Sequence, residues 1–427
     1  MEFPAIIKIL SVFFGVLLVN RFKVPLGIGL IFGGLLLDTW AGNNFAAVFM
    51  DFVHGLARPE LWLLTINITL IMEIGHFMSS EKSSLAILGA AQRWGGKHGF
   101  SFSLVLIPAA IGMVPMPGGA LFSAPLVGRT VENSSNPPEW KAAVNYWFRH
   151  ILEYWWPLYP VVIVTLSIFT LETWKYMAVQ IPFTFVSIFA GYFFLLRRNR
   201  KDIFTGGQKI ENPPSLARAL TPILVIVSAT LLLPGMYKHL IPALNPASRK
   251  LFAMLTGLIV GLIMIWRDQR EEDRQLFADI ISKKTMQVLF TLAGVMIFES
   301  LLDASDLIPL AGLELSQSQV PMALIIAFLP FLAGLVTGIA IGFAGVAFPI
   351  VVGFTNADAT LQPIGALVLA FSMGYAGMML SPVHLCFLLT VDYFSASFIK
   401  VYRYLLPCVL SVVLWGIAMY FLLGTLT

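Results

Sequence analysis

The sequence predicts an all-α polytopic membrane protein built as two inverted repeats, each of about five transmembrane helices plus one re-entrant hairpin. Three observations predict it. First, 58% of the 427 residues are hydrophobic and 12% are charged, with a mean hydropathy of +0.84. A soluble chain carries roughly 25% charged residues, and a larger core cannot absorb the difference, because single cores stop growing at about 250–300 residues. Second, long apolar runs recur, among them Ile6 to Val19, Leu220 to Leu233 and Pro407 to Leu423. Spans of roughly 17–25 residues cross a bilayer. Third, landmarks of the first half return in the second half at nearly constant spacing.

Thr65 to Glu73 (TINITLIME) is matched by Thr291 to Glu299 (TLAGVMIFE). The pattern around Pro108 and Gly112 is matched around Pro330 and Gly334, Pro125-Leu126-Val127 by Pro349-Ile350-Val351, and Pro157 with Thr165 by Pro382 with Thr390. The four intervals fall between 222 and 226 residues and keep one order. This gives a first repeat over residues 1–197, a linker over 198–216 and a second repeat over 217–427.

Positive charge sets the orientation. Arg21 and Lys23, Lys82, Arg93 and Lys97, the run from Arg197 to Arg218, and the loop from Arg267 to Lys284 are basic. Asp303 to Gln319 has acids but neither Lys nor Arg. By the positive-inside rule, both termini lie outside and the basic loops inside the cell, in its inner membrane. Matched spans then run in opposite directions, which makes the repeats inverted. The N-terminus has no basic n-region and reads as a retained first helix. The net charge of +4 is spread over these loops and predicts no nucleic-acid partner. Cys386 and Cys408, the two cysteines, have no metal-ligand spacing, so neither a disulfide nor a metal site is read.

Breaks fall at matching places. A first hairpin over 112–128 has the tip Val114-Pro115-Met116-Pro117-Gly118-Gly119, and a second over 337–353 carries Gly338, Gly342 and Gly345. The spans that follow, over 143–171 and 363–391, are interrupted at Pro157 and Pro382. Proline removes a backbone donor and glycine tolerates unusual dihedrals. Non-helical backbone at membrane depth must be buried in protein or line a wet cavity, and broken helices in transporters aim dipoles and carbonyls at a central site. The competing reading is ordinary proline kinking.

Intramembrane ionisable residues are costly and mark functional candidates. Glu73 and Glu299 occupy matched positions and are read as proton carriers, or as groups snorkelling to an interface. Arg149 and Glu153 are four apart, so one helix face holds both. They read either as site residues or as an interfacial ion pair beside Trp155 and Trp156. His384 follows the second break with Ser381 and is read as a solute contact and proton carrier, or as a structural hydrogen-bond partner. Ser123 follows the first tip.

The stretches VPMPGGALFSAPLV and GYAGMMLSPVHLCFLLTVDYF resemble the domain-of-unknown-function 401 family of prokaryotic membrane proteins. That family looks like a branch of the ion-transporter superfamily, whose members carry gluconate, citrate, dicarboxylates and arsenite. The resemblance covers essentially the whole chain, although only these two motifs are specific. Pro115, Pro117 and Gly118 correspond to the proline-glycine hairpin tip of gluconate-type permeases. The resemblance implies paired re-entrant hairpins, a homodimer with a scaffold and a mobile transport domain, and alternating access. Both tips lack the Ser-Asn-Thr triplet of sodium-coupled dicarboxylate carriers, a departure that argues against sodium coupling and dicarboxylate specificity.

The functional expectation is a secondary transporter of a small organic anion, coupled to H+ or Na+, working by an elevator-like movement and needing no cofactor. Pro115, Pro117, Gly118, Gly119, Ser123, Arg149, Pro157, Gly342, Gly345, Ser381, Pro382 and His384 would frame the solute. Glu73, Glu153, Glu299 and His384 would carry protons. The alternatives are a sodium-coupled carrier, an ion channel and an intramembrane lipid-modifying enzyme. No P-loop, HExxH or GxSxG motif occurs, and polar residues cluster at breaks instead of lining one face.

Overall fold

The computed structural model describes residues 3–78, 86, 89–90, 99–113, 115, 118–132, 134–197, 215–268, 283–318, 320–357 and 361–425. Most of the basic loop residues, including Arg198 and Arg270, lie outside the described residues, as do Met116 and Pro117. The described residues form eighteen α-helices. The first four are α1 (Ala5–Arg21), α2 (Leu26–Trp40), α3 (Phe45–Ala57) and α4 (Pro59–Met78). A helical hairpin follows, α5 (Gly99–Gly112) and α6 (Ala120–Thr130), then α7 (Pro138–Arg149), α8 (Pro160–Ile168) and α9 (Thr173–Gly191). The second half contains α10 (Leu216–Leu240), α11 (Pro246–Asp268), α12 (Lys283–Ala304) and α13 (Leu307–Ser318). It closes with a hairpin, α14 (Met322–Thr337) and α15 (Ala340–Ala357), then α16 (Pro363–Met379), α17 (Leu385–Tyr393) and α18 (Phe398–Thr425).

Local chemistry explains the boundaries. Pro138, Pro160 and Pro363 sit in the first turns of α7, α8 and α16, where the missing N–H is an orphan in any case. Asn44 caps α3 by accepting from the Ala47 amide at 3.0 Å. The Glu314 carboxylate, from α13, accepts from the Ala5 and Ile6 amides at 2.7 and 2.9 Å and so caps α1. A negative charge at that end also opposes the helix dipole. Gly338 ends α14 in the left-handed region (φ +65°), its amide donating to Gly334 at 2.9 Å, which a side chain would resist.

The second tip differs from expectation in one respect. The break is confined to Gly338 and Ile339, and the helix resumes at Ala340, so Gly342 and Gly345 lie inside α15. Their small size serves close packing. A Cβ on Gly345 would strike the Val295 side chain of α12, and one on Gly342 would strike Thr337. The amphipathic helix α3 is also unforeseen. It packs on α2, α4 and α12.

Among the described residues, five helices are long and apolar enough to cross a membrane, α9 (extended to Leu196), α10, α11, α12 and α18. The outer surface fits lipid: Phe32, Phe185, Phe189, Leu232, Leu414 and Phe421 are all exposed, and apolar surface on this scale is rare in water. The chain is a multi-pass membrane protein. At its centre lie α7 and α16. Every residue from Ala142 to His150 is buried, as is nearly all of 365–379.

Helix contacts recur in pairs. The pair α2 with α12 is echoed by α11 with α4, α5 with α7 by α14 with α16, α6 with α17 by α15 with α8, and α7 with α18 by α16 with α9. Small residues permit the tightest crossings, as is general where lipid gives no hydrophobic drive. A Cβ on Gly294 of α12 would press on the Gly27 backbone of α2. At the corresponding crossing, the Asn67 amide of α4 donates to Leu251 O of α11 at 2.9 Å.

Gly294→Val is therefore expected to lower the stability of the purified protein by about 1–3 kcal/mol or more, the range for overpacking. Gly235→Ala, where nothing lies within 4 Å of a Cβ, should be neutral. Thermal melts of the two variants in detergent check this, and equal melting points would contradict the close α2–α12 crossing.

Candidate functional site

The site grows from two helix ends. α7 stops at Arg149, and helix resumes only at Pro160. α16 stops at Met379 and resumes at Leu385. Buried backbone groups freed by such breaks need partners. Two tyrosines supply them reciprocally. Tyr146 of α7 donates to Met379 O, the last residue of α16, at 3.2 Å, and Tyr375 of α16 donates to His150 O, just past α7, at 3.0 Å. Ser381 Oγ donates to Leu335 O at 2.7 Å and accepts from the Val383 amide at 3.3 Å. Tyr159 donates its hydroxyl proton to Gly112 O, the last residue of α5, and the Arg149 guanidinium bonds the same hydroxyl. A Cβ on Gly112 would collide with Arg149 O, so only glycine lets the hairpin approach α7 this closely.

Both hairpin tips lie against one segment, 381–389. Gly118, at φ +78°, approaches the side chains of Leu385 and Leu389. Gly338 approaches Ser381, Val383 and His384. Asn145 of α7 donates to Thr390 Oγ1 at 3.2 Å, which ties the first broken span to α17.

At the centre, His384 Nδ1 lies 2.6 Å from Gly338 O and His150 Nδ1 lies 2.6 Å from Tyr146 O. The two Nε2 atoms are 3.2 Å apart. Glu153 Oε1 is 3.8 Å from His150 Nε2. The Cys386 sulfur and the histidine nitrogens lie within 4.8 Å of one another. All of these residues are buried, with Arg149 at 2% and His150 at 1% exposure. Tyr146 packs edge-on against both imidazoles, with ring centroids at 4.7 and 5.5 Å.

The structure thus brings Arg149, Glu153, Ser381 and His384 to one junction with Gly118 beside it. Pro115, Gly119 and Pro157 are buried in the adjoining turns, while Pro382 is exposed. Ser123 is buried and donates to Ala120 O of its own helix at 3.3 Å. Gly345 packs towards α12 instead. Pro117 lies outside the described residues. Glu299 is held elsewhere, 3.6 Å from Arg58 at the α3–α4 corner, and Glu73 is buried in α4. His150, Tyr146, Tyr375 and Cys386 are the residues that sequence reasoning undervalued. Cys386 is two positions from His384, but its third companion is 234 residues away from His384, so no spacing rule reveals the cluster.

The model of a family described as a protein of unknown function, DUF401, matches residues 6–422. The chain belongs to the DUF401 family. No curated protein matches it. Among solved structures, this DUF401 chain is similar to the YdaH transporter of Alcanivorax borkumensis, whose crystal structure is described as having an unusual topology. The match has a TM-score of 0.53 and 13% identity and covers 88% of each chain. At that identity the likeness shows a shared fold.

Asn145 and Thr390 offer a direct test of the junction between the two halves of this DUF401 protein. A double-mutant cycle of Asn145→Ala and Thr390→Ala should give a coupling of about 0.6 kcal/mol and at most about 1.7, the range for side-chain pairs between membrane helices. Zero coupling in unfolding titrations would contradict the contact.

Proposed function

We propose that this DUF401 protein is a secondary transporter of a small organic anion in the cell's inner membrane, working by alternating access. The observation that carries the reading is the buried Arg149 guanidinium at the meeting point of two broken helices and two hairpin tips. A fixed positive charge among helix breaks is the arrangement that binds anions in transporters. The fold shared with a transporter supports the same reading. The junction is closed, since Tyr146, Arg149 and His150 are at most 2% exposed. A solute therefore reaches it only when the surrounding elements move, which favours a carrier over an open channel.

The mirrored contacts of the two halves support an inverted duplication, with equivalent elements able to exchange roles as the site opens to one side and then the other. The protein is read as a homodimer with the basic loops in the cytoplasm. Glu299 is the proposed coupling group. It is a carboxylate buried within a spanning helix, with Arg58, Asp303 and Glu60 as its charged neighbours, and it can trade a proton for the Arg58 contact as the helices shift.

In proteoliposomes screened over organic anions, Arg149→Gln should reduce flux by more than tenfold. Losing one member of a buried charge pair costs about 2–5 kcal/mol, and about 1.4 kcal/mol is tenfold. Arg149→Lys should retain part of the flux. Collapsing the pH gradient should slow uptake by the wild type, and replacing Na+ should not. Unchanged flux in folded Arg149→Gln would overturn the anion site, and indifference to the pH gradient would overturn proton coupling.

A further inference from the structure

We propose that His150, His384 and Cys386, with Glu153 as the fourth ligand, bind one divalent cation of the zinc class. The inference starts from the two short contacts to carbonyl oxygens. A backbone carbonyl only accepts, so each imidazole must carry its proton on Nδ1, towards Tyr146 O and Gly338 O respectively. In the neutral rings both Nε2 atoms then present lone pairs, and these face each other at 3.2 Å. Two lone pairs at that distance repel unless a proton or a metal cation lies between them.

The distances suit a metal ion. Tetrahedral zinc with Zn–N bonds of about 2.0–2.1 Å separates two nitrogens by roughly 3.3–3.4 Å. The Cys386 sulfur lies within 4.8 Å of a ring nitrogen of each histidine, and the Glu153 carboxylate is 3.8 Å from His150 Nε2. Two imidazoles, a thiolate and a carboxylate form a four-donor set that borderline-soft Zn2+ accepts. The Nδ1–H to carbonyl bonds are the outer contacts that orient ligating histidines elsewhere. A proton shared by the two rings would also relieve the lone pairs and would leave the Cys386 sulfur hydrogen-bonded to both imidazoles; unlike the metal, it would hold no Zn2+ and give no cobalt band.

Two consequences follow. The cation joins the segment after α7 to the segment before and within α17, so the ligands come from both halves of the chain. With Arg149 it brings three positive charges against the thiolate and the carboxylate, which leaves one net positive charge beside the proposed anion path. His384 and Glu153 then serve as ligands, and proton coupling falls to Glu299. The metal site rests on the geometry of the cluster and not on the transport reading.

The test uses the full-length, tag-free protein in detergent, stripped with a chelator and then loaded with Zn2+ or Co2+. Elemental analysis after gel filtration should find one Zn2+ per chain, and Co2+ should give a sulfur-to-cobalt charge-transfer band. Cys386→Ser should abolish the band, and His384→Gln and His150→Gln should each weaken Zn2+ binding more than tenfold. Glu153→Gln should weaken binding but keep the band, and Cys408→Ser should change neither. Substoichiometric Zn2+ on folded wild-type protein would overturn the proposal, as would a cobalt band that survives Cys386→Ser. If the histidine variants fail to fold, wild-type stoichiometry and the milder Cys386→Ser variant still decide. Anion flux is measured separately on metal-stripped protein, so failure of the metal site and failure of the transport reading are distinguishable.

Discussion

In hydrocarbon there is no water to satisfy a peptide group, so each helix break within a membrane needs partners supplied by protein. Here the breaks at 150–159 and 380–384 and the tips around Gly118 and Gly338 satisfy one another. Tyr146 and Tyr375 exchange hydrogen bonds with the ends of each other's helices. Ser381 serves Leu335 O, and His384 serves Gly338 O. Tyr159 serves Gly112 O, and Arg149 bonds the hydroxyl of Tyr159. The polar groups that make a site available are therefore also the groups that make the broken helices tolerable.

The same constraint shapes the packing around the junction. α7 is buried from Ala142 to Arg149 although that stretch contains Asn145 and Arg149, and only its first turn, with Glu139 and Lys141, is partly exposed. It can be central only because α5, α6, α9, α17 and α18 surround it and its buried Asn145 and Arg149 meet Thr390 and Tyr159. The glycines at 112 and 334 let the hairpin arms α5 and α14 close onto α7 and α16 at backbone distance. The helix contacts recur in matched pairs across the two halves.

Much of this was legible in the sequence. Composition and apolar runs gave the membrane class, and proline and glycine placed the interruptions, because those residues act through local backbone chemistry. The second tip is shorter than its run of glycines suggests. Gly342 and Gly345 signal close packing against Thr337 and Val295, and a glycine alone does not distinguish packing from a break. Arg149, Glu153, Ser381 and His384 stand out in the sequence because polar groups are conspicuous in apolar spans. Their mutual placement depends on how α7 and α17 meet, which no local pattern encodes. Cys386 and the tyrosines read as ordinary residues of apolar spans for the same reason, and no local pattern encodes the pairing of Glu299 with Arg58.

The central claim is that the junction of the two broken spans is a site exposed in turn to each side of the membrane. In Cys408→Ser protein, Cys386 is the sole remaining thiol, and it lies in that junction. The most direct measurement is its modification by a small charged methanethiosulfonate reagent, added to one face or the other of sealed vesicles in the presence of a chelator. Reaction from both faces, slowed by the transported anion, is the predicted result. A Cys386 thiol that stays unmodified from both faces in folded protein would contradict the account.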